Sequence, residues 1–153
     1  MLKNFIWQNV LTLGFGLGIA RFGINLAAAE MEGPLMLFES FPLAIGAMCL
    51  TIVVMIWGAY RVREANGNLI DLQTGFLTMF GIYAIAGIFT VLCNAMYLNW
   101  LRPEFLEMVV AYSDRLTSYG MVREYFSSLI FGGLLAMIFA FVVKREKVKV
   151  ISQ

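Results

Sequence analysis

The chain has 153 residues, of which 61% are hydrophobic and 14% charged, with a formal net charge of +1 and a mean hydropathy of +0.81. Soluble domains carry about 25% charged residues, so this composition argues against a water-soluble globular protein, and the small net charge argues against a nucleic-acid partner. Histidine is absent, which removes the commonest general base and metal ligand. We therefore expect no metal site and no cofactor.

The first predicted span covers residues 5–26 and contains two glycines at helix-packing spacing. Gly14 and Gly18 lie four residues apart, a spacing at which small residues let two helices approach closely in a bilayer. We expect them to pack against another span of the same chain, with a homodimer contact as the alternative. Lys3 and the alanines at 27–29 also resemble parts of a signal peptide, but we interpret the segment as a retained span.

Arg21 is the only formal charge inside a predicted span. At about 1.5 Å of rise per residue it lies about 24 Å from the start of the span, near the far membrane boundary. Two interpretations remain open: the side chain extends into the headgroups, or it is a buried cation that holds a carboxylate or a lipid phosphate. Asn25 follows one turn later on the same helix face.

Residues 30–39 are predicted to form an acidic outer loop. This segment contains a Gly33–Pro34 turn signal, and we expect its three glutamates, Glu30 among them, to be solvated. Span two covers residues 41–60 and ends in interfacial aromatic residues. A basic turn rich in asparagine and glycine follows it and leads into span three.

Span three, residues 74–101, is an uncharged run around which we expect the other spans to be arranged. Asp71 precedes it as a candidate N-cap. Asn94 lies about 28 Å along this span, which predicts the same depth and leaflet as Arg21. We therefore expect Arg21, Asn25 and Asn94 to form a polar cluster that binds a ligand or a lipid.

Residues 103–119 are predicted to form an amphipathic helix between spans three and four. Pro103 suits a first helical turn and Gly120 suits a stop. The helix is expected to lie on the membrane or on the ends of the spans, with a coiled-coil partner helix as the alternative. Apolar residues recur at alternating steps of four and three, which places them on one face. The expected docking face consists of Phe105, Val109, Tyr112 and Leu116.

Span four, residues 125–143, has small residues at every fourth position, a second face for close helix packing. This face consists of Gly132, Ala136 and Ala140. The expected fold is therefore all-α, a single integral-membrane domain of four transmembrane helices with residues 103–119 as an additional extracytoplasmic helix.

The distribution of basic residues predicts the orientation. The connection between spans two and three shares one side with both predicted tails, and this side carries most of the lysines and arginines. Because Lys and Arg are enriched in cytoplasmic segments, both termini are predicted to be cytoplasmic. The basic residues on this side are Lys3, Arg61, Arg63, Lys144, Arg145, Lys147 and Lys149.

Three local patterns carry a family resemblance: the basic Asn/Gly-rich turn at 60–68, the Gly75–Phe76 start of span three, and the aromatic exit into a Pro-acid-Phe sequence at 97–105. With these patterns the chain resembles, best over residues 60–119, a family of uncharacterised four-span inner-membrane proteins common in Bacteroidota. In that family the helix after span three is usually longer and more charged. The resemblance implies a fold and a bacterial inner-membrane location, and it brings no catalytic residue. Such proteins are often encoded near polyprenyl-phosphate-linked glycosyltransferases, which implies a membrane enzyme as a partner.

No residue pattern in the sequence defines a reaction, and the spans contain no paired carboxylates. We therefore do not expect an enzyme. We predict an accessory or scaffold protein of the membrane that docks to a membrane enzyme, or to lipid, through its small-residue faces and its outer helix. The alternative is a small dimeric transporter, or a lipid-binding or lipid-translocating protein, that uses Arg21 and Asn94.

Overall fold

A computed structural model of the chain describes residues 2–33, 41–110 and 118–145. Within these residues it contains α1 (Leu2–Glu32), α2 (Phe41–Ala65), α3 (Leu72–Met96), α4 (Pro103–Val110) and α5 (Ser118–Val143). All except α4 are long and apolar enough to cross a membrane. The predicted all-α fold with four membrane-spanning helices is therefore confirmed.

Helix α3 is the centre of the bundle, because it packs against α1, α2 and α5. Its residues Met79, Ile82 and Ala86 have no exposed surface. They form one core with Val10 of α1 and Met55 of α2. An arrangement of the other spans around the third one is what the sequence predicts.

The small residues of α1 and α5 lie at contacts within the chain. A Cβ atom added to Gly14 would lie 2.7 Å from Ile85 Cβ, and one added to Gly18 would lie 2.9 Å from Phe89 Cβ. On α5 a Cβ atom at Gly132 would meet the ring of Tyr83, and Ala136 and Ala140 are buried. These five positions therefore serve the packing of α1 and α5 against other helices of the same chain. For Gly14 and Gly18, this is packing against another span of the chain and not a homodimer contact.

Several helix boundaries differ from the sequence prediction: α2 continues to Ala65, and α5 begins at Ser118. Helix α1 continues to Glu32, and Gly33, with a φ of +103°, follows its end and donates its N–H to the carbonyl oxygen of Ala29 at 3.1 Å. Gly120, predicted as a helix stop, instead lies buried inside α5, so that prediction is wrong. Tertiary packing, which supplies most of the stability of a helix in a protein, overrides a local stop signal.

Helix α3 widens at its far end into a π-helical turn, Tyr97–Leu101, in which the N–H of Arg102 donates to the carbonyl oxygen of Tyr97 at 2.8 Å. Such turns are frequent at functional positions of helices. In this turn Tyr97 and Leu98 are buried. Helix α4 begins directly afterwards, at Pro103.

The opposite end of the bundle joins the α2–α3 connection to the end of α5. Ile70 and Arg145 exchange two backbone hydrogen bonds of 2.9 Å each, and positive φ angles at Gly67 and Asn68 form the preceding turn. The first part of α1 lies at the same level as the end of α2, because the side-chain Nδ2 of Asn9 donates to the carbonyl oxygen of Gly58 at 2.9 Å.

Candidate functional site

A cavity of about 400 Å³ lies between the four spans, in the half of the bundle away from the Ile70–Arg145 bridge. It forms because α2 packs closely only along its second half, where Met55 and Ala59 have no exposed surface. In the first half, Ile45 and Met48 are exposed. The volume falls within the range of about 300 to 1,000 Å³ that is typical of small-molecule sites.

All three predicted polar residues, Arg21, Asn25 and Asn94, line this cavity. The register of α1 and α3 explains why. Because Gly14 packs on Ile85 and Gly18 on Phe89, the two helices run parallel and advance together in steps of four residues. The structure therefore brings polar residues that are far apart in sequence to one cavity wall.

Arg21 is half-buried, and its guanidinium carbon lies 5.9 Å from the centroid of the Tyr83 ring. The face of an aromatic ring attracts a cation, and this attraction is stronger where water is excluded. Arg102 forms ion pairs with Glu30 and Glu104, and Arg21 forms none with the described residues. Within that part of the chain, the charge of Arg21 therefore has an aromatic ring beside it and no carboxylate at ion-pair distance.

Two tyrosines that line the cavity are each seated on a glycine of the facing helix. Tyr83 of α3 packs on Gly132 of α5, and Tyr125 of α5 packs on Gly87 of α3, where an added Cβ would lie 2.5 Å from the Tyr125 ring. The Tyr125 hydroxyl also donates to the carbonyl oxygen of Ala84 at 3.0 Å. Neither tyrosine is predicted from the sequence. The sequence marks these positions only through the glycines that face them. Which tyrosine packs on which glycine cannot be predicted without knowing how the two helices are aligned.

Asn94 has a polar atom that the described residues leave unsatisfied. The residue is 5% exposed, and its Oδ1 has no hydrogen-bond partner in the described part of the chain. A buried acceptor without a donor costs about 1 to 3 kcal/mol, so such an atom calls for a partner from outside the helices. Oδ1 of Asn9 shares this property elsewhere in the bundle, at a residue that no sequence pattern marks.

The remaining walls combine apolar and polar side chains. On α5 the lining extends from Met121 to Leu135, about 21 Å of helix at about 1.5 Å per residue, so the cavity is long and follows the bundle axis. Its apolar lining residues include Met48, Val91, Met121, Phe131 and Leu135. Its further polar lining residues are Thr51, Thr90, Glu124 and Ser128.

A second polar group lies at the end of α1, where Glu30 was predicted to be solvated in a loop. The loop assignment is wrong, because Glu30 belongs to α1. Its side chain is exposed as predicted, and it also binds Arg102 through two hydrogen bonds, of 2.8 and 3.1 Å. Glu30 also accepts a hydrogen bond from the Tyr97 hydroxyl at 2.7 Å. Arg102 reaches Glu104 as well, at 3.2 Å. The bond to Glu30 raises the pKa of the Arg102 guanidinium, so Arg102 stays cationic.

Of the predicted docking face in residues 103–119, the structure describes the side chain of one residue, Phe105. Phe105 is half-buried, with its ring centroid 6.3 Å from that of Tyr97 and 5.3 Å from the guanidinium carbon of Arg102. It therefore packs on the end of the bundle. The side chain of Val109, together with Tyr112 and Leu116, lies outside the described residues, so the rest of that face stays a prediction.

The apolar composition and the four spanning helices define a multi-pass integral membrane protein. Residues 10–145 match the family model described as a protein of unknown function, DUF4199. The chain belongs to this family, in agreement with the resemblance to an uncharacterised family that the sequence indicates. Comparisons with curated proteins and with solved structures found no match.

Proposed function

We propose that this protein is a non-enzymatic lipid-binding protein of the bacterial inner membrane, which holds an anionic lipid headgroup in the cavity between its spans. The observation that carries the proposal is the position of Arg21, a cation within a spanning helix that lines a cavity and has the ring of Tyr83 beside it. Charged residues at membrane depth are costly and normally pair with an opposite charge. An anionic ligand supplies that charge.

The shape and the chemistry of the cavity favour a lipid over a small soluble anion. The cavity follows the bundle axis, and apolar side chains such as Met48 and Phe131 accompany its polar ones. Several side chains in the outer half of α2, Met48 among them, are exposed, which favours entry from the bilayer between the helices. A lipid would place its headgroup near Arg21 and its chains along the apolar walls.

The proposed orientation follows from the charges at the two ends of the bundle. Lys3, Arg63 and Arg145 lie at the end that carries the Ile70–Arg145 bridge, and Lys and Arg favour the cytoplasmic side. With that end in the cytoplasm, the cavity lies in the outer half of the membrane. The lipid would then come from the outer leaflet.

Lipid retention measured by native mass spectrometry tests this function. The purified protein is exchanged into detergent with equal amounts of phosphatidylglycerol and phosphatidylcholine, and the bound lipids are counted. We expect the wild type to retain the anionic lipid preferentially and Arg21→Gln to lose that preference by about tenfold, which corresponds to about 1.4 kcal/mol.

Arg61→Gln is the matched control for this measurement. Arg61 also lies beside an aromatic ring, 5.6 Å from the centroid of Trp57, but does not line the cavity. We expect this variant to bind lipid as the wild type does. Equal retention by the wild type and Arg21→Gln, or a larger loss in Arg61→Gln, would contradict the proposed site.

A second candidate function is docking to another membrane protein, as an accessory subunit or scaffold. A stripe of small residues on α1 faces away from the bundle, and a Cβ atom added to Gly16 or Gly23 would meet no atom within 4 Å. Such a stripe allows close approach of a helix from a partner protein. The stripe consists of Gly16, Ala20, Gly23 and Ala27.

Co-purification tests the docking role. A membrane enzyme such as a polyprenyl-phosphate-linked glycosyltransferase would be recovered with the wild type and lost with Gly16→Leu and Gly23→Leu. Leu77→Ala, at an exposed position of α3, is the control and should retain the partner. Recovery of a homodimer alone, sensitive to the same two substitutions, would assign the stripe to self-association instead.

A further inference from the structure

Asn94 narrows the class of lipid that the cavity takes, an inference that rests on the function proposed above. The residue lines the cavity together with Arg21 and is 5% exposed. Its Oδ1 lacks a hydrogen-bond donor within the described residues. This unsatisfied atom and the cation of Arg21 are two independent features of one cavity. Arg21 would bind an anionic group of the ligand, and Oδ1 of Asn94 would bind a hydrogen-bond donor.

The threonine and serine hydroxyl groups of the cavity do not satisfy Asn94, because each of them donates its hydrogen to a backbone carbonyl. Thr90 donates to Ala86 at 2.8 Å, Thr51 to Ala47 at 2.6 Å, and Ser128 to Tyr125 at 2.8 Å. A hydroxyl group has one hydrogen to donate. These side chains therefore leave Asn94 to a donor that the ligand brings.

The ligand must therefore be anionic for Arg21 and must carry a hydrogen-bond donor for Asn94. The lining already contains one cation, Arg21, and one carboxylate, Glu124, and an ammonium donor would bury a further charge among them, which is costly in a region of low dielectric. A hydroxyl donor adds no charge. It also both donates and accepts, so it pairs with either end of an asparagine amide.

We propose that the cavity selects an anionic lipid with a hydroxyl-bearing headgroup, a glycerol-phosphate or sugar-phosphate lipid. The phosphate pairs with the guanidinium of Arg21, and a headgroup hydroxyl donates to Oδ1 of Asn94. Selection by charge alone would instead favour phosphatidic acid, which concentrates its charge on an exposed phosphate monoester. Phosphatidic acid has no alcohol hydroxyl in its headgroup.

The test compares phosphatidylglycerol with phosphatidic acid of identical acyl chains, in competition for the purified full-length protein, by native mass spectrometry. We expect the wild type to retain phosphatidylglycerol about tenfold better, which corresponds to about 1.4 kcal/mol. Asn94→Leu, which keeps a side chain of similar size, should abolish this difference. Asn99→Leu is the control, because Asn99 is exposed and its Nδ2 donates to the carbonyl oxygen of Ala95 at 2.8 Å.

The outcomes separate this inference from the proposed function. Equal retention of the two lipids by the wild type overturns the hydroxyl selection without requiring a folded variant, and so does a preference that survives in Asn94→Leu. If Arg21→Gln retains both lipids as the wild type does, the anion site itself is overturned. Soluble glycerol 3-phosphate is added as a third arm. Thermal stabilisation by this compound without any effect of phosphatidylglycerol would overturn the assignment to a lipid.

Discussion

The guanidinium carbon of Arg21 lies 5.9 Å from the centroid of the Tyr83 ring, which joins the charged residue of α1 to the central helix of the bundle. Tyr83 in turn packs on Gly132 of α5. The ring therefore occupies a fixed place between two helices, and the cation beside it is held at the wall of the cavity. This arrangement makes Tyr83 the residue through which the packing of the bundle positions Arg21.

Replacement of Tyr83 by leucine should weaken anionic-lipid retention and lower the thermal unfolding midpoint together. The substitution removes the ring that attracts the cation, a contribution of about 2 kcal/mol where water is excluded. Tyr83→Phe keeps the ring and should resemble the wild type in both respects. Native mass spectrometry and tryptophan fluorescence during heating measure the two effects. If Tyr83→Phe loses as much lipid as Tyr83→Leu, the hydroxyl rather than the ring face is the group that matters.

The contact between α1 and α3 predicts opposite outcomes for two glycines of α1. Gly14→Ala should destabilise the protein by about 1 to 3 kcal/mol, because the new methyl group would meet Ile85 Cβ at 2.7 Å and force the helices apart. Gly16→Ala should leave stability unchanged or raise it slightly, because a Cβ atom there meets nothing within 4 Å.

Unfolding of the two alanine variants in the same detergent, followed by tryptophan fluorescence, provides the measurement. The pair controls for helix propensity, because both substitutions exchange glycine for alanine in one helix. Similar midpoints for Gly14→Ala and Gly16→Ala would show that the close approach of α1 and α3 does not limit stability.

The parts of this fold that the sequence predicts are those set by local properties. An uncharged run such as residues 74–101 is long enough to span a bilayer whatever its neighbours are. Small residues at a spacing of four, such as Gly14 and Gly18, mark a packing face without identifying the helix that it contacts. Matched depth in two parallel spans was enough to group Arg21 with Asn94.

The parts that the sequence does not predict depend on which helices are neighbours. Glu30 and Arg102 are separated by 72 residues, and nothing local to Glu30 distinguishes it from a solvated loop carboxylate. The same holds for Tyr83 and its glycine on α5. Gly120 shows the converse, since its local signal for a helix end is overridden by the packing of α5.

The Glu30–Arg102 pair should hold the start of α4 on the end of the bundle. In Glu30→Ala, Arg102 loses two hydrogen bonds and Tyr97 loses the acceptor of its hydroxyl. We expect faster amide hydrogen exchange in residues 104–110, measured by mass spectrometry. Glu104→Ala is the control, because Glu104 makes a single contact with Arg102, at 3.2 Å, and should change exchange less. Equal exchange in the two variants would assign the docking of α4 to Phe105 instead.

The N-cap of α3 predicts an acid-dependent loss of stability. The Asp71 carboxylate accepts a hydrogen bond from the N–H of Thr74 at 2.8 Å, and this bond lowers the pKa of Asp71 below its ordinary value of 3.8. A carboxyl group with a lowered pKa in the folded state stabilises the fold fully above the pKa of the unfolded chain. This stabilisation is lost as the pH falls through the lower pKa of the folded state.

Two substitutions separate the cap from its charge. Asp71→Ala should cost about 0.5 to 2 kcal/mol at neutral pH, the usual contribution of an N-cap side chain. Asp71→Asn keeps a capping oxygen and should cost less, but it should remove the part of the acid dependence that lies below about pH 4, near the ordinary pKa of an aspartate. Thermal unfolding in detergent, from neutral pH down to about pH 3, compares the three proteins. If the wild type and Asp71→Asn lose stability with the same slope, the acid response arises at other carboxylates, and Asp71 contributes to α3 only through its geometry.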